Sequence, residues 1–315
     1  MKLKIGTRGS KLALWQAHRV AECLASENPE VEIEVIQIES TGDRDRITSL
    51  ANLDTVGIFT REIEAALADH RTDIAVHSLK DMPTESQDNL HIAALLPRDD
   101  PRDVLVAPAL QGHDPAEGHA ALVALPPAAT VGTSSLRRRA ELLRARPDLR
   151  IQDIRGNVPT RLKMLEDNEL QAIVLSLAGL TRIGLQPPGA VPLPTELMLP
   201  AAAQGTIAIQ VRQSDTATRD CVAAIDHAPT RLVTDTERLL LHHLEGGCRI
   251  PLGALAELDG NTLTLRGRLT SPDGKTVFEH CAQANAADWR ELAGKVAEEL
   301  RANGGNELLA MVRGL

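Results

Sequence analysis

The feature that most constrains the fold is the alternation of short apolar runs with amphipathic helical patterns along the first two-thirds of the chain. The predicted strands cover residues 3–6, 32–39, 73–77, 131, 151–154, 172–175 and 207–211. The predicted helices cover residues 10–24 and 60–67 and the segments that follow Ser135 and Asn157. Parallel strands need a long crossover connection, usually a helix, so this alternation predicts an α/β fold with a largely parallel sheet.

The first helix illustrates the local signals. Ser10 precedes its apolar pattern, and a serine hydroxyl in this position commonly caps a helix. Its apolar face is expected to comprise Leu12, Trp15, Val20 and Leu24.

The last third of the chain changes character and predicts a separate α+β domain. A helix over residues 232–244 ends at Gly246-Gly247, and glycine is a common helix stop. Strands near residue 254, at 262–269 and at 276–280 are separated by D-G-N and P-D-G turns, which predicts an antiparallel meander. A helix over 287–301 and a shorter one after residue 305 close the chain.

Composition excludes several classes of function. The 315 residues suffice for two or three domains, while 1% aromatic residues and a net charge of -9 disfavour a nucleic-acid surface. The four cysteines (Cys23, Cys221, Cys248 and Cys281) have no C-x-x-C spacing, so we expect neither a metal site nor a disulfide framework. The sequence shows no signal region and no run near the ~20 apolar residues that span a bilayer, so we expect a cytoplasmic protein without a membrane partner.

Arginines and hydroxyl groups follow the predicted strands at the points where helices begin. In open α/β sheets, ligands bind outside the carboxyl ends of the strands, where helix N-termini also point. The residues concerned are Arg8, Ser10, Thr133, Ser135, Arg137, Arg138, Arg155, Arg161 and Arg182. Guanidinium forks match carboxylates, so this pattern predicts a cleft for a ligand with many acidic groups; each arginine alone could equally be a solvated surface charge.

One acidic residue stands beside these cations. The segment DIAVHSLKDMPT places Ser78, Lys80 and Asp81 directly after a buried strand. Asp81 could cap the turn or pair with Lys80. In an arginine-rich cleft, it could instead accept N–H bonds and stabilise a cation that forms during a reaction.

Cys248 follows two glycines in the segment LEGGCRIPLG. Glycine leaves space for a large group to approach the next side chain, so Cys248 could be an attachment point. It could also be a small residue that is buried after a helix-ending turn.

Taken together, these motifs resemble the porphobilinogen deaminase family, also called hydroxymethylbilane synthase. The motifs that carry the resemblance, in the family's order, are GTRGSKLALWQAH, AVHSLKDMPT, DPRDVLV, VGTSSLRRR, DIRGNVPTRL, AGLTRIGL, LPAAAQG and LEGGCRIPLG. The resemblance runs nearly end to end. It implies a transferase of tetrapyrrole and haem biosynthesis that joins four porphobilinogens on a covalently bound dipyrromethane, with loss of ammonia, and releases hydroxymethylbilane.

The resemblance also implies roles for individual residues. Cys248 would hold one dipyrromethane per chain through a thioether, and Asp81 would be the catalytic aspartate, holding pyrrole N–H groups and stabilising an azafulvenium cation. The residues implied to contact the cofactor are Ser78, Lys80, Asp81, Thr133, Ser135, Arg137, Arg138 and Arg155. The residues implied to contact substrate are Arg8, Ser10, Gln16, Arg155, Arg161, Arg182 and Gln204. A monomer is the family's expected state.

The family's architecture implies two lobes like type II periplasmic binding proteins and a C-terminal α+β domain with a small antiparallel sheet. We expect lobe one at residues 1–98 and 204–226, lobe two at 99–203 and the cofactor-carrying domain at 227–315. The late strand at 207–211 then belongs to lobe one, with hinges near residues 96–100 and 199–204.

Two segments depart from the family pattern. Residues 54–59 read DTVGIF where the family has a lid sequence with more glycine and a lysine, which puts lid closure in doubt. Residues 108–121 look like a surface insertion without catalytic meaning.

Two other functions remain open from the residues alone. A non-catalytic two-lobed binder of a small polyanion would also use an arginine cleft, but it would have no need of Cys248. A nucleic-acid binder that uses LRRR is disfavoured by the negative charge and the scarce aromatic residues.

Overall fold

The computed structural model describes residues 1–38, 60–85, 89–167, 170–244 and 250–313. In chain order, the helices and strands are β1 (Lys2–Thr7), α1 (Lys11–Glu27), β2 (Glu32–Gln37), α2 (Arg61–Ala68), β3 (Ile74–Ser78), β4 (Leu90–Leu95), β5 (Asp103–Val106), α3 (Gly118–Ala124), β6 (Thr130–Gly132), α4 (Leu136–Ala145), β7 (Arg150–Gln152), α5 (Val158–Glu166), β8 (Ala172–Ser176), α6 (Leu177–Arg182), β9 (Ala190–Pro192), β10 (Ile207–Arg212), α7 (Thr216–Ala223), α8 (Ala228–His243), β11 (Leu252–Asp259), β12 (Thr262–Thr270), β13 (Val277–Asn285), α9 (Trp289–Leu300) and α10 (Asn306–Arg313). None of the described helices is both long enough and apolar enough to cross a membrane.

The chain divides into two compact units. Unit 1 comprises Met1–Asp99 and Thr206–Leu232, and unit 2 comprises Asp100–Gly205 and Val233–Leu315. The predicted α/β class is confirmed, with an α/β sheet in each unit and a small antiparallel sheet near the C-terminus. The finer division into two lobes and a third domain stays a prediction.

Unit 1 is built on a five-stranded sheet with the order β2-β1-β3-β10-β4. β1 pairs in parallel with β2 and β3, whereas β10 pairs antiparallel to β3 and β4. The late strand predicted at 207–211 is β10, and it lies inside this sheet. All six of its residues are buried, because it has a neighbour on each side and helices cover the sheet.

Helix α1 covers one face of this sheet and buries Val20 and Leu24 as predicted, but not Trp15. Ser10 caps it as expected, accepting a hydrogen bond from the Ala13 N–H at 3.2 Å. The buried residues of α1 are Gln16, Ala17, Val20 and Leu24. The predicted apolar face was wrong at Trp15, which is exposed, and Leu12 is half-buried. The stripe at positions 16, 20 and 24 has helical spacing and turns Trp15 away from the sheet.

Unit 2 repeats this arrangement in the sheet β7-β6-β8-β5-β9. β6 pairs in parallel with β7 and β8, and β5 runs antiparallel to β8 and β9. Each α/β sheet therefore has one reversed strand in its fourth position. The prediction of a largely parallel sheet holds for the other four strands and did not specify this reversal.

The segment 108–121, predicted as a surface insertion, contains ordered and buried structure. Pro108–Leu110 forms a 3₁₀ turn and Gly118–Ala124 forms α3, in which Ala121 and Leu122 are buried. A Cβ on Gly118 would lie 2.5 Å from the carbonyl oxygen of Pro192, so glycine allows α3 to approach β9. The predicted surface insertion is therefore partly buried.

Unit 2 also contains the predicted C-terminal meander. β11, β12 and β13 pair antiparallel in sequence order. Helix α9 packs on β12 and β13, and its buried residues are Leu292, Ala293, Val296, Ala297 and Leu300. Gly267 of β12 leaves room for both α8 and α9, since a Cβ there would lie 2.8 Å from Leu240 of α8 and 3.1 Å from Leu300 of α9.

Candidate active site

A pocket opens in unit 1 at the carboxyl ends of β1 and β3. It encloses about 470 Å³, including its open mouth. Its lining residues are Arg8, Ser10, Leu12, Ala13, Gln16, Thr60, Val76, His77, Ser78 and Asp81. Five of the residues predicted from the sequence to form a site are therefore brought together, namely Arg8, Ser10, Gln16, Ser78 and Asp81.

The chain after β3 explains how Asp81 reaches this pocket. Leu79–Asp81 forms a 3₁₀ turn in which Leu79 is buried and Asp81 is exposed. The Leu79 N–H donates to the carbonyl of Thr206 at 3.0 Å, and Met82, also buried, donates its N–H to the carbonyl of Leu79 at 3.2 Å. Two buried apolar anchors therefore hold the turn, and the carboxylate between them projects outward.

Helix α1 and strand β3 are joined beside the pocket by a polar contact. The Gln16 side-chain amide donates to Ser78 Oγ at 2.9 Å, and Gln16 is buried. Lys80 lies on the same turn as Asp81 and is half-buried, but it does not line this pocket. Its predicted cofactor contact stays a prediction.

A second group of predicted site residues lies in unit 2, at the strand-to-helix junctions after β6 and β7. Ser135 caps α4 by accepting from the Arg138 N–H at 3.4 Å, and Thr133 Oγ1 accepts from the Ser135 N–H at 3.2 Å. Asn157 caps α5 in the same way, accepting from the Thr160 N–H. These caps satisfy N–H groups that would otherwise lack partners within their helices.

The arginines near α5 differ in exposure from those of α4. Arg155 and Arg161 are half-buried, and Arg161 Nε donates to the Gly156 carbonyl at 2.9 Å. Gly156 has a φ of +99°, a conformation that favours glycine, so the chain turns sharply between β7 and α5. Arg182 of α6 is buried, with Nη2 donating to the Gly205 carbonyl at 2.6 Å.

Arg137 and Arg138 are buried around a carboxylate of the chain itself. Asp103, fully buried at the start of β5, accepts from Arg137 Nη1 at 2.7 Å and from Arg138 Nε and Nη2 at 3.0 and 2.8 Å. Gln204, another predicted site residue, donates to Asp103 Oδ1 at 3.1 Å and to the Pro101 carbonyl at 2.7 Å. These three predicted site residues thus share one buried partner that sequence reasoning missed.

Sequence reasoning also missed Thr60 and His77 of the unit 1 pocket. His77 is buried, and its Nε2 lies 3.1 Å from Gln210 Oε1. Burial lowers the pKa of His77 from 6.5 to about 4, partly opposed by the bond to Gln210. A histidine inside an otherwise apolar strand (IAVHS) was the signal that could have drawn attention to it.

Two predicted features lie outside the described residues. These are Cys248, within 245–249, and the departing lid sequence, within 39–59. On either side of the former, α8 ends at His243 and β11 begins at Leu252.

The fold and the pocket define an α/β protein that can hold a small ligand with acidic groups at the carboxyl ends of parallel strands. Family models described as "Porphobilinogen deaminase, dipyromethane cofactor binding domain" and "Porphobilinogen deaminase, C-terminal domain" match residues 3–220 and 232–302. The chain belongs to the porphobilinogen deaminase family, and it is therefore a transferase of tetrapyrrole biosynthesis that uses a dipyrromethane cofactor.

Curated relatives agree over nearly the full length. The chain is 41% identical over 311 residues to the porphobilinogen deaminase of Syntrophomonas wolfei, covering 99% of each protein. It is 42% identical over 313 residues to that of Moorella thermoacetica, covering 99% of this chain and 97% of the relative. The similarity therefore includes both units.

Solved structures with a similar fold include the VFT2 domain of Bordetella pertussis BvgS, with 12% identity, 76% and 89% coverage of the two chains and a TM-score of 0.43. They also include the Salmonella typhimurium periplasmic binding protein STM4351, with 13% identity, 71% and 91% coverage and a TM-score of 0.41. At these TM-scores the likeness supports no conclusion about function.

Proposed function

We propose that this chain joins four porphobilinogens in sequence, with loss of one ammonia each, and then releases hydroxymethylbilane by hydrolysis. The observation that carries this proposal is the unit 1 pocket, where a guanidinium, hydroxyls and an amide stand beside one exposed carboxylate. The acetate and propionate groups of each pyrrole need hydrogen-bond donors, whereas the pyrrole N–H and a developing cation need an acceptor. The pocket offers both.

The donors present in unit 2 fit an acidic dipyrromethane. Thr133, Ser135 and Arg155 lie at the beginnings of helices α4 and α5, where N–H groups and the helix dipole favour carboxylates. When bound, the dipyrromethane supplies the pyrrole carbon to which the incoming substrate is joined. We assign its attachment to Cys248, with Ser78, Lys80, Asp81, Arg137 and Arg138 as further contacts.

Asp81 is the proposed catalytic residue. Its carboxylate accepts a hydrogen bond from the pyrrole N–H of the incoming substrate and so orients the ring. When the carbon–nitrogen bond of the aminomethyl group breaks, the electron pair leaves with ammonia and the substrate carbon becomes positive. The nearby carboxylate stabilises that charge and accepts hydrogen bonds without first having to reorganise, because the Leu79 and Met82 anchors fix its turn.

Further residues are assigned to the substrate's own carboxylates. In unit 1, Arg8 lies two residues before Ser10, which caps α1, and Gln16 donates to Ser78. In unit 2, the donors assigned to substrate are Arg155, Arg161, Arg182 and Gln204. A bidentate guanidinium neutralises each acidic group more specifically than lysine does.

We further propose a cytoplasmic monomer with lobes at residues 1–98 with 204–226 and at 99–203, followed by a domain at 227–315. The three cysteines in the described part of the chain (Cys23, Cys221 and Cys281) are free thiols, which supports a reducing compartment.

The test combines intact mass with turnover. The wild type should weigh hundreds of daltons more than its polypeptide and react with Ehrlich's reagent, whereas Cys248→Ser should have the bare mass. Asp81→Ala should keep the added mass but lose about 10²- to 10³-fold in kcat. Asp259→Asn, an exposed carboxylate in the C-terminal sheet, serves as the control with normal turnover.

Each alternative has its own outcome in these measurements. Active wild type with the bare polypeptide mass would refute the covalent cofactor attachment. Inactive wild type with the bare mass would favour a non-catalytic binder of small polyanions. Normal turnover of Asp81→Ala would remove that residue from the mechanism while leaving the assigned activity in place.

A further inference from the structure

A chain of four buried polar side chains runs beneath the unit 1 pocket. His77 Nε2 lies 3.1 Å from Gln210 Oε1, and Gln210 Nε2 donates to Glu64 Oε1 at 3.1 Å. The other carboxylate oxygen, Glu64 Oε2, accepts from Thr60 Oγ1 at 3.3 Å. The exposed fractions of His77, Gln210, Glu64 and Thr60 are 5%, 0%, 5% and 2%, so this polar chain is shielded from bulk water.

Strand register and helix spacing bring these four residues together. Ala75 lies opposite Gln210, and His77 lies opposite Ala208, in the antiparallel pair of β3 and β10. His77 and Gln210 are therefore diagonal neighbours on one face of the sheet. Thr60 and Glu64 are separated by four residues at the start of α2, so they lie one helical turn apart.

The surroundings of this polar chain are apolar. Ala75 on the same face of the sheet packs with Ile63, Ala66 and Leu67 of α2 and with Leu90 of β4. Polar groups in such an interface cost stability unless they are all hydrogen-bonded, and aliphatic residues could fill the same space. The polar chain therefore has a cost in stability that aliphatic residues at the same positions would avoid.

The direction of each hydrogen bond follows from the chemistry of the groups. The amide nitrogen of Gln210 donates to Glu64, so the amide oxygen faces His77 as an acceptor. His77 must then carry its proton on Nε2, which makes Nδ1 the acceptor nitrogen of a neutral ring. Burial, which lowers the pKa of His77 to about 4, is consistent with a neutral ring.

Both ends of the polar chain reach the pocket. Thr60 and His77 line it, whereas Gln210 and Glu64 do not. His77 directly precedes Ser78, which accepts from Gln16, and the turn that carries Asp81 begins one residue later. The buried connection thus ties α2 and β10 to the strand end from which the proposed catalytic carboxylate extends.

We propose that His77 is a positioning residue, held in its Nε2–H tautomer by Gln210 and Glu64, and that it fixes the end of β3 that presents Ser78 and Asp81. The effect on turnover rests on the proposed function of Asp81, whereas the tautomer assignment does not.

The kinetic test compares a substitution of His77 that keeps an N–H donor with one that removes it. His77→Gln keeps an N–H donor near the place of Nε2, whereas His77→Ala removes it. We expect His77→Ala to lower kcat about 10- to 100-fold with a nearly unchanged KM, because a misplaced catalytic group affects the reaction more than binding. We expect His77→Gln to recover most of this loss.

The matched control is Leu90→Ala, which opens a cavity in the same interface between α2 and the sheet but removes no polar group. It should lower the melting temperature and leave kcat unchanged at temperatures where it is folded. If Leu90→Ala lowers kcat as much as His77→Ala, or if His77→Gln is no better than His77→Ala, the positioning role is overturned.

The direct test measures the ring nitrogens of His77 by ¹⁵N nuclear magnetic resonance, with the signal assigned by its loss in His77→Gln. The wild type should show a protonated Nε2 and an unprotonated Nδ1 from pH 8 to pH 5. Glu64→Gln should weaken this preference, because an amide at position 64 can donate as well as accept. A proton on Nδ1, or titration near pH 6.5, would overturn the tautomer assignment even if Asp81 proves catalytic.

Discussion

Replacing Asp103 by asparagine should destabilise unit 2 strongly, because this carboxylate holds two buried guanidinium groups. Arg137 and Arg138 donate three bonds of 2.7 to 3.0 Å to it, and all three side chains are at most 8% exposed. Asparagine keeps the shape but removes the negative charge and one acceptor oxygen, while both guanidinium groups stay charged. The change leaves buried cations without their compensating anion.

The expected magnitude follows from this burial. Breaking a buried ion pair by removing one partner costs about 3–5 kcal/mol. For a folding unit of about 150–250 residues, each kcal/mol lowers the melting temperature by about 2–4 °C, so Asp103→Asn should lower it by roughly 6–20 °C. Thermal unfolding followed by circular dichroism measures this change.

Asp148→Asn is the matched control. Asp148 pairs with Arg146 through two bonds of 2.7 and 2.8 Å, but its side chain is 43% exposed. The guanidinium of Arg146 keeps the pKa of Asp148 below its usual range, yet water and salt screen an exposed pair. We expect little change in melting temperature. Equal shifts for Asp103→Asn and Asp148→Asn would refute the argument that burial makes the Asp103 charge important.

Two further predictions concern acid sensitivity and close packing. The pKa of His77 in the folded protein, about 4, lies below its ordinary 6.5, so the unfolded chain binds the proton more tightly. Stability should therefore fall by about 3 kcal/mol as pH decreases from about 6.5 to below 4, and His77→Gln should lose this part of the dependence in urea titrations at several pH values. Gly118→Ala should destabilise by about 1–3 kcal/mol, because its Cβ would lie 2.5 Å from the Pro192 oxygen. Gly294→Ala, with its nearest neighbour 4.0 Å away in the middle of α9, should stabilise by about 0.5–1 kcal/mol; equal effects from both glycines would contradict this reasoning.

The parts of the fold that the sequence predicted are those that depend on residues close together along the chain. The predicted cap at Ser10 is confirmed, and Ser135 and Asn157 cap the helices that were predicted to begin there. A cap needs only its own hydroxyl or amide and an N–H three residues on. β10 was predicted as a strand without its direction, and β5 was not predicted as a strand. A strand's apolar pattern is the same in either direction, and its orientation is set by where the rest of the chain takes it.

The candidate site likewise contains contacts that the sequence predicted and a long-range contact that it did not. Arg8, Ser10, Ser78 and Asp81 follow strand ends in the sequence, and the parallel arrangement of β1 and β3 brings them to one pocket. The pairing of Asp103 with Arg137 joins residues 34 positions apart through a reversed strand. No spacing rule could anticipate that contact.

The two arginines around Asp103 differ in how many of their guanidinium nitrogens donate hydrogen bonds to the chain. Arg138 donates from Nε and Nη2 to Asp103 and from Nη1 to the Val174 carbonyl. Arg137 donates to Asp103 and to the Leu199 carbonyl, in both cases from Nη1. Arg138 therefore resembles a structural member of the cluster. Arg137 has more of its fork to offer to a carboxylate of the cofactor.

Lysine substitutions separate these roles, because lysine keeps the charge but loses the fork. Arg138→Lys should lower the melting temperature more than Arg137→Lys, since three of its donor atoms bind the chain. Arg137→Lys should instead reduce the fraction of protein that carries the cofactor's extra mass. The Arg138→Lys protein could instead carry less cofactor than the Arg137→Lys protein at equal stability. In that case, the number of hydrogen bonds that an arginine makes to the chain does not identify which arginine binds the cofactor. Asp103 would then orient both guanidinium groups toward the same ligand.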